Sequence, residues 1–211
     1  MKSLLILNGE KINKDIMLAL RDESEFILSA DGGTDYCLEL GIKPDLVIGD
    51  LDSISVGTLE VLEKAKIPVY KFPVKKDKTD SELCIEYLMD IGATEITIAG
   101  AIGNRIDHSI ANILLLKKIN DSGFKGKIVH NYNTIYLINN ELVLDRKEGY
   151  FVSIIPIESK GITVTLKGFE YELNNTRINF TSTHGISNII RDNKGYIKLH
   201  EGQCLVIVAR D

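Results

Sequence analysis

The sequence predicts an α/β architecture: an N-terminal, mainly parallel sheet with helices on both faces, followed by a small antiparallel β-sandwich domain. Three observations carry that expectation. Up to about residue 130, apolar β-branched runs alternate with helical stretches, and such alternation means parallel strands joined by crossover helices. Beyond that point the runs shorten, become β-rich and are separated by turn residues, with no strong helical period. Four of the early runs also lead straight into short charged motifs, as at the carboxyl rim of an open parallel sheet, where ligands bind.

Taken in order, strands are expected near Leu4–Leu7, Phe26–Ala30, Leu46–Ile48, Val69–Phe72, Glu95–Ala99 and Lys127–His130. Helices are expected between them, near Lys14–Arg21, Thr34–Leu40, Val56–Ala65, Ser81–Met89 and Ser109–Ile119. Gly41 and Gly92 stand where helices end, because a left-handed residue there satisfies the last carbonyls. Thr79-x-x-Glu82 has the form of a capping box opening a helix. In the second part, Thr134–Ile138, Asn139-Asn140 and Glu141–Leu144 read as a hairpin. Further strands are expected at Phe151–Ile155, Ile162–Leu166, Arg177–Phe180, Gly195–Leu199 and Leu205–Ala209, enough for a sandwich or barrel. The boundary falls near Asn131, giving domains of residues 1–131 and 132–211.

Composition narrows the possible partners. The chain has 211 residues, 44% hydrophobic and 26% charged, ordinary for a globular protein with a proper core. A formal net charge of -5 argues against nucleic acid as the main partner. No run approaches the ~18 apolar residues of a membrane span, and the short apolar N-terminus reads as a first strand rather than a signal peptide. Cys37, Cys84 and Cys204 form no CxxC pair and are odd in number, so a reducing cytoplasm is the default and each reads as a small buried apolar residue.

The charged motifs carry the chemistry. Asp50-Leu51-Asp52 follows a strand, and carboxylates two residues apart can share one metal. From Asp31 to Asp52 the chain carries six acids against one lysine, a density that asks for a cation. Hard oxygen donors suit magnesium, which binds one or two carboxylates together with substrate phosphates. Lys75, Lys76 and Lys78 precede Thr79 and Asp80 at an expected helix start, where N–H groups and positive charge favour a polyphosphate. Arg105 can grip phosphate oxygens bidentately. Each feature has a plainer reading: a solvated acidic turn, a basic loop capped by Thr79, Asp107 as a helix cap, His108 as a structural histidine. The four histidines lack zinc-ligand spacing, and neither GxGxxG nor GxxxxGK[ST] occurs. In the second part, Ser187 and Asn188 offer donors and acceptors within what can also be a turn, and Tyr171 is either core or a stacking face.

Together these motifs resemble the thiamine pyrophosphokinase family. The match rests on Ala30-Asp31-Gly32-Gly33, Gly49-Asp50-Leu51-Asp52-Ser53, Asp77-Lys78-Thr79-Asp80, Arg105-Ile106-Asp107-His108 with Ala111-Asn112, and Ser187-Asn188, in the family's order. The resemblance implies a catalytic α/β domain and a thiamine-binding, dimerising β-domain. It implies that Asp50, Asp52 and Asp80 hold Mg2+ and the ATP polyphosphate, with Asp31 close by. It implies that Lys78, Thr79 and Arg105 contact ATP, with Asp107 and His108 shaping that site. Ser187, Asn188 and Tyr171 would meet thiamine from the partner subunit of a homodimer. Two departures stand out: the usual glycine pair before the arginine is Gly103-Asn104, and Ile189-Ile190 replace an aromatic that often follows Ser-Asn.

The implied reaction is direct attack of the thiamine hydroxyl on the β-phosphorus of ATP, releasing AMP. Rival readings are a pyrophosphokinase for another alcohol such as 6-hydroxymethylpterin, an aspartate-nucleophile phosphatase, and a non-catalytic nucleotide or thiamine diphosphate sensor. Against the phosphatase, the DxD follows the third strand rather than the first.

Overall fold

Strand β1 (Lys2–Ile6) is the centre of the first part of the molecule, because Leu4, Leu5 and Ile6 are wholly buried and bury side chains on both faces of the sheet. The computed structural model describes residues 1–49, 54–71 and 77–211, and divides into two compact units, Met1–Asn131 and Tyr132–Asp211. In the first unit β1 is followed by α1 (Lys14–Asp22), β2 (Phe26–Ala30), α2 (Gly33–Glu39), β3 (Leu46–Gly49), α3 (Val56–Lys64) and β4 (Val69–Lys71). Then come α4 (Asp80–Asp90), β5 (Glu95–Ala99), α5 (Ile106–Asp121) and β6 (Lys125–Val129). The strands lie in the order β4-β3-β2-β1-β5-β6, every pair parallel. The chain moves one way from β1 to β4 and then jumps back across β1 to β5. Strand order therefore reverses between β1 and β5, the point at which open α/β sheets take their ligands.

Side-chain alternation explains the layers. Leu4 and Ile6, with Ile27 in register beside Leu4, pack with Met17 of α1 and Cys37 of α2 on one face. Ser3 and Leu5 point the other way and are as deeply buried, and α4 lies against β1, β2 and β3. Burying one such side chain contributes about 1.5–3 kcal/mol, more than an exposed ion pair. The strands near β2, β3 and β5 and the glycines Gly41 and Gly92, both at positive φ just past a helix end, follow the sequence pattern. Helix α5 starts three residues earlier than its apolar periodicity suggests, because Ile106 and Ile110 face solvent and hide the period.

The second unit contains β7 (Asn133–Ile138), β8 (Glu141–Asp145), β9 (Phe151–Pro156), β10 (Ile162–Lys167), β11 (Leu173–Ile178), β12 (Lys194–Glu201) and β13 (Cys204–Ala209). Two antiparallel arrays, β7-β13-β9 and β11-β10-β12-β8, enclose one core that includes Val152, Ile154, Val164, Leu166, Ile197, Leu199 and Val206. The expected hairpin of residues 134–144 is corrected here: β7 pairs with β13 and β8 with β12, so Asn139-Asn140 carries the chain from one sheet to the other. A tight two-residue hairpin needs positive φ at its central residues, and neither asparagine has it. The strand expected at Arg177–Phe180 runs instead over Leu173–Ile178. It is an edge strand with a register shift opposite Val164 and Leu166, and Asn175 has φ +47°, so its polarity does not alternate.

No described helix is long and apolar enough to cross a membrane. All three cysteines are buried and outside any disulfide, and burial pushes the Cys37 and Cys204 thiols up to about 12.

Candidate active site

The segments leaving β1 and β5 stay paired beyond the strands themselves. The N–H of Leu7 donates to Ala99 C=O (2.8 Å), that of Gly9 to Gly100 C=O (2.8 Å) and that of Glu10 to Ile102 C=O (2.7 Å). Gly100 makes this approach possible: its φ is +69°, and a Cβ there would lie 2.2 Å from the Leu7 carbonyl oxygen. Helix α5 holds the next few residues. Asn112 Nδ2, buried, donates to Ala101 C=O (2.8 Å), and the Gly103 N–H donates to Ser109 Oγ (3.1 Å). A cleft of about 680 Å³ opens along this rim, its walls including Asn8, Asp31, Thr79, Asp80, Arg105 and His108. Residues as far apart in sequence as Asn8 and His108 thus border one space at the switch point.

Each wall residue has a local cause. Asp31 follows β2 with φ +43°, its N–H donating to Ile48 C=O (3.2 Å) and its own C=O accepting from Thr34 N–H (2.9 Å). A Cβ on Gly49 would sit 1.7 Å from Asp31 Oδ1, so β3 must end on glycine for that carboxylate to lie where it does. Thr79 caps α4, its Oγ1 accepting from Glu82 N–H (3.3 Å), which leaves the hydroxyl proton to donate elsewhere. Asp80 opens the same helix. Arg105 precedes α5 and is held by Asp107, Nε donating to Oδ1 (3.2 Å) with Nη2 on Oδ2. That pairing brings the Asp107 carboxyl down to about 2 and raises the Arg105 guanidinium. Two donors are engaged, so three of the five in the guanidinium remain for an anion. His108 is exposed on the cleft wall rather than a satisfied interior histidine.

Some expected site residues stand elsewhere. Asp107 acts on the cleft through Arg105 rather than lining it. Lys78 does not line it either: its Nζ donates to Glu86 (2.8 Å), and Lys118 of α5 joins Glu86 and Glu82 (2.7 Å). Asp50, Asp52, Lys75 and Lys76 lie outside the described residues. Among the described residues no group of three potential metal ligands gathers; Asp31 and Asp80 are the carboxylates, besides Glu10, that face the cleft. Sequence reasoning passed over Asn8, Gly9 and Glu10, together with the bracing roles of Ser109 and Asn112. The available signal was a glycine shortly after each of two neighbouring strand ends, which marks close backbone approach.

The Lys78–Glu86–Lys118–Glu82 network ties α4 to α5, the helices whose first turns border the cleft. Hydrogen bonds from Lys118 and then Lys78 hold Glu86 below its usual carboxylate range, so its contribution is present above about 4.3 and disappears as pH falls through the lowered value. Glu86→Gln is expected to cost up to about 1 kcal/mol at pH 7. The gap from the wild type in thermal melting should close on acidification below pH 4; a gap equal at pH 3 and pH 7 contradicts this account.

In the second unit the structure does bring Ser187, Asn188 and Tyr171 together. Asn188 Oδ1 accepts from Tyr171 N–H (3.1 Å), and Ser187 has φ +59° with its N–H donating to Ser153 Oγ (3.0 Å). Tyr171 is 68% exposed, which removes the core alternative.

Comparison with known proteins follows the same two-part division. The family model "Thiamin pyrophosphokinase, catalytic domain" matches residues 17–128, and "Thiamin pyrophosphokinase, vitamin B1 binding domain" matches residues 139–204. The chain is 30% identical over 209 residues to thiamine pyrophosphokinase of Bacillus subtilis (strain 168), covering 98% of each. The crystal structure of the Bacillus subtilis thiamine pyrophosphokinase superposes with a TM-score of 0.90 at 29% identity, over 100% of both chains. That of the Geobacillus thermodenitrificans thiamin pyrophosphokinase gives 0.85 at 27% identity, over 100% of this chain and 98% of the other.

Proposed function

The chain belongs to the thiamine pyrophosphokinase family, and on that premise we propose how its residues divide the work of moving a diphosphate from ATP to thiamine. It is an ATP-dependent diphosphotransferase, forming thiamine diphosphate and AMP. The observation that carries the site reading is the convergence of Asp31, Thr79, Asp80, Arg105 and His108 on one cleft at the sheet's switch point.

The triphosphate of ATP lies along that rim. Thr79 donates its hydroxyl proton to a phosphate oxygen, and Arg105, kept at the edge by Asp107, grips another with its remaining donors. The thiamine hydroxyl oxygen forms a bond to the β-phosphorus while the bond from that phosphorus to the α,β-bridging oxygen breaks. The hydroxyl proton passes to a nearby carboxylate, and AMP leaves. Fixed positive charge and N–H dipoles stabilise charge as it develops in flight, which is where most of the rate comes from. Hard carboxylates such as Asp31 and Asp80, which line this cleft, are the donor type a magnesium ion takes. Asp80 would hold it together with Asp50 and Asp52, with Asp31 beside them. When bound, Mg2+ supplies charge neutralisation of the polyphosphate. Lys78 belongs to the helix-tying network and reaches the phosphates only by leaving Glu86.

The second unit takes thiamine through Ser187 and the Tyr171 face, a reading supported by the matched vitamin B1 binding model. The working form is a homodimer in which each thiamine lies between the first unit of one subunit and the second unit of the other. Three buried reduced cysteines suit a cytoplasmic setting. Incubating the protein with thiamine, ATP and Mg2+ should give stoichiometric AMP and thiamine diphosphate. Preferential turnover of 6-hydroxymethylpterin when both alcohols compete, or no AMP at all, overturns this assignment.

A further inference from the structure

Asn188 is 7% exposed, and its side chain is almost wholly committed to its neighbours. Oδ1 accepts from Tyr171 N–H (3.1 Å) and from Ile189 N–H (2.9 Å), while Nδ2 donates to Tyr171 C=O (2.8 Å). Both lone pairs of the amide oxygen and one of the two N–H donors are used. Its backbone is equally fixed: Val152 N–H donates to Asn188 C=O (2.7 Å) and Asn188 N–H to Val152 C=O (3.0 Å), docking it on β9.

The segment it grips is held at other points too. Glu170 N–H donates to Ile189 C=O (2.8 Å), Phe169 pairs with Ile190, and Arg191 Nη2 donates to Glu170 Oε2 (2.8 Å). Phe169 and Ile190 are buried in the sandwich core, whereas Tyr171, two residues on, presents its ring to solvent. The backbone of an exposed aromatic residue is thus clamped on both its N–H and its C=O by one buried amide. A ring that extends from a backbone already held has less to order on binding, which suits a flat aromatic cation, since stacking and cation–π attraction depend on ring placement.

We propose that Asn188 is a positioning residue that holds the Tyr171 backbone so that its ring serves as a platform for an aromatic cation, and does not itself contact the ligand. The proposal rests on the reading that the second unit takes thiamine, whose thiazolium and aminopyrimidine rings have this chemistry. It departs from the expectation, drawn from the family resemblance, that Asn188 is a direct thiamine contact.

The test is a double-mutant cycle read on steady-state kinetics. Asn188→Asp keeps the acceptor for the two N–H groups but sets a carboxylate oxygen against the Tyr171 carbonyl. Asn188→Ala strips both, and where it fails to fold, Asn188→Asp alone carries the test. Tyr171→Ala is expected to raise KM for thiamine by about tenfold. Asn188→Asp should raise it by about the same factor alone, and by less than about twofold when Tyr171 is already alanine. KM for ATP should stay within about twofold in every variant, since the ATP cleft lies in the first unit. An Asn188 effect of equal size in both backgrounds means direct contact and overturns the proposal, as does an unchanged KM for thiamine in Tyr171→Ala. A wild-type protein that forms no thiamine diphosphate overturns the preceding assignment as well, and is distinguishable because it needs no variant.

Discussion

Asp80→Asn is expected to lower kcat for AMP formation by at least about 10²-fold while leaving the protein folded. Asp80 is the first residue of α4, immediately after the capping Thr79, and its carboxylate faces the cleft. Asparagine preserves shape and one acceptor oxygen but removes the charge that, in the proposed site, would hold a magnesium–polyphosphate complex. The structural cost is small: an acid in a first helical turn contributes about 0.3–1 kcal/mol through the helix dipole, and Glu82 remains. Circular dichroism and a melting temperature within a few degrees of wild type establish the fold, and a coupled AMP assay reads the chemistry. The same loss is expected for Asp52→Asn, although that residue lies outside the described ones. Near wild-type AMP production by Asp80→Asn removes it from the site.

Gly100→Ala should be the most damaging single methyl group in the first unit. At φ +69° an L-residue pays about 1–2 kcal/mol, and here the added carbon also meets a backbone oxygen that cannot swing aside, Leu7 O at 2.2 Å. Opening that contact parts the rim segments of β1 and β5 and costs about 1–3 kcal/mol more. Gly41→Ala is the control, because Gly41 has φ +72° with open space around it and incurs the conformational cost alone. In urea titrations Gly100→Ala should lose about 2–5 kcal/mol, and Gly41→Ala about 1–2. Equal losses in the two variants contradict the close approach.

Much of this was legible beforehand because burial leaves a period in the sequence. The strand–helix alternation of the first unit is plain since β1, β2, β3 and β5 bury residues on both faces. The rim of the cleft was legible for a related reason: charged side chains come directly after the strands that present them, as Asp31 does after β2. What escaped notice works through the main chain or through side chains with unremarkable identities. Gly9, Gly100, Ser109 and Asn112 shape the cleft by hydrogen bonds and close contacts, and no charge pattern announces them. The second unit misled at two places. β11 is an edge strand whose polar residues do not alternate, and Asn139-Asn140 looked like a turn although its backbone carries the chain between sheets. Lys78 illustrates a further limit, since a lysine beside a phosphate motif reads the same whether it meets phosphate or Glu86.

The placement of β1 has a consequence for how the protein is made. Strand β1, residues 2–6, precedes both of its sheet neighbours in the chain, and the second of them, β5, comprises residues 95–99. Until β5 has been synthesised, one side of an apolar strand has no hydrogen-bonding partner. Closing that loop is slow because the contact is so distant along the chain, and an uncovered strand edge invites association with other nascent chains. The ordering of strands that places the cleft at the switch point therefore also leaves an apolar strand edge uncovered while the chain is being made.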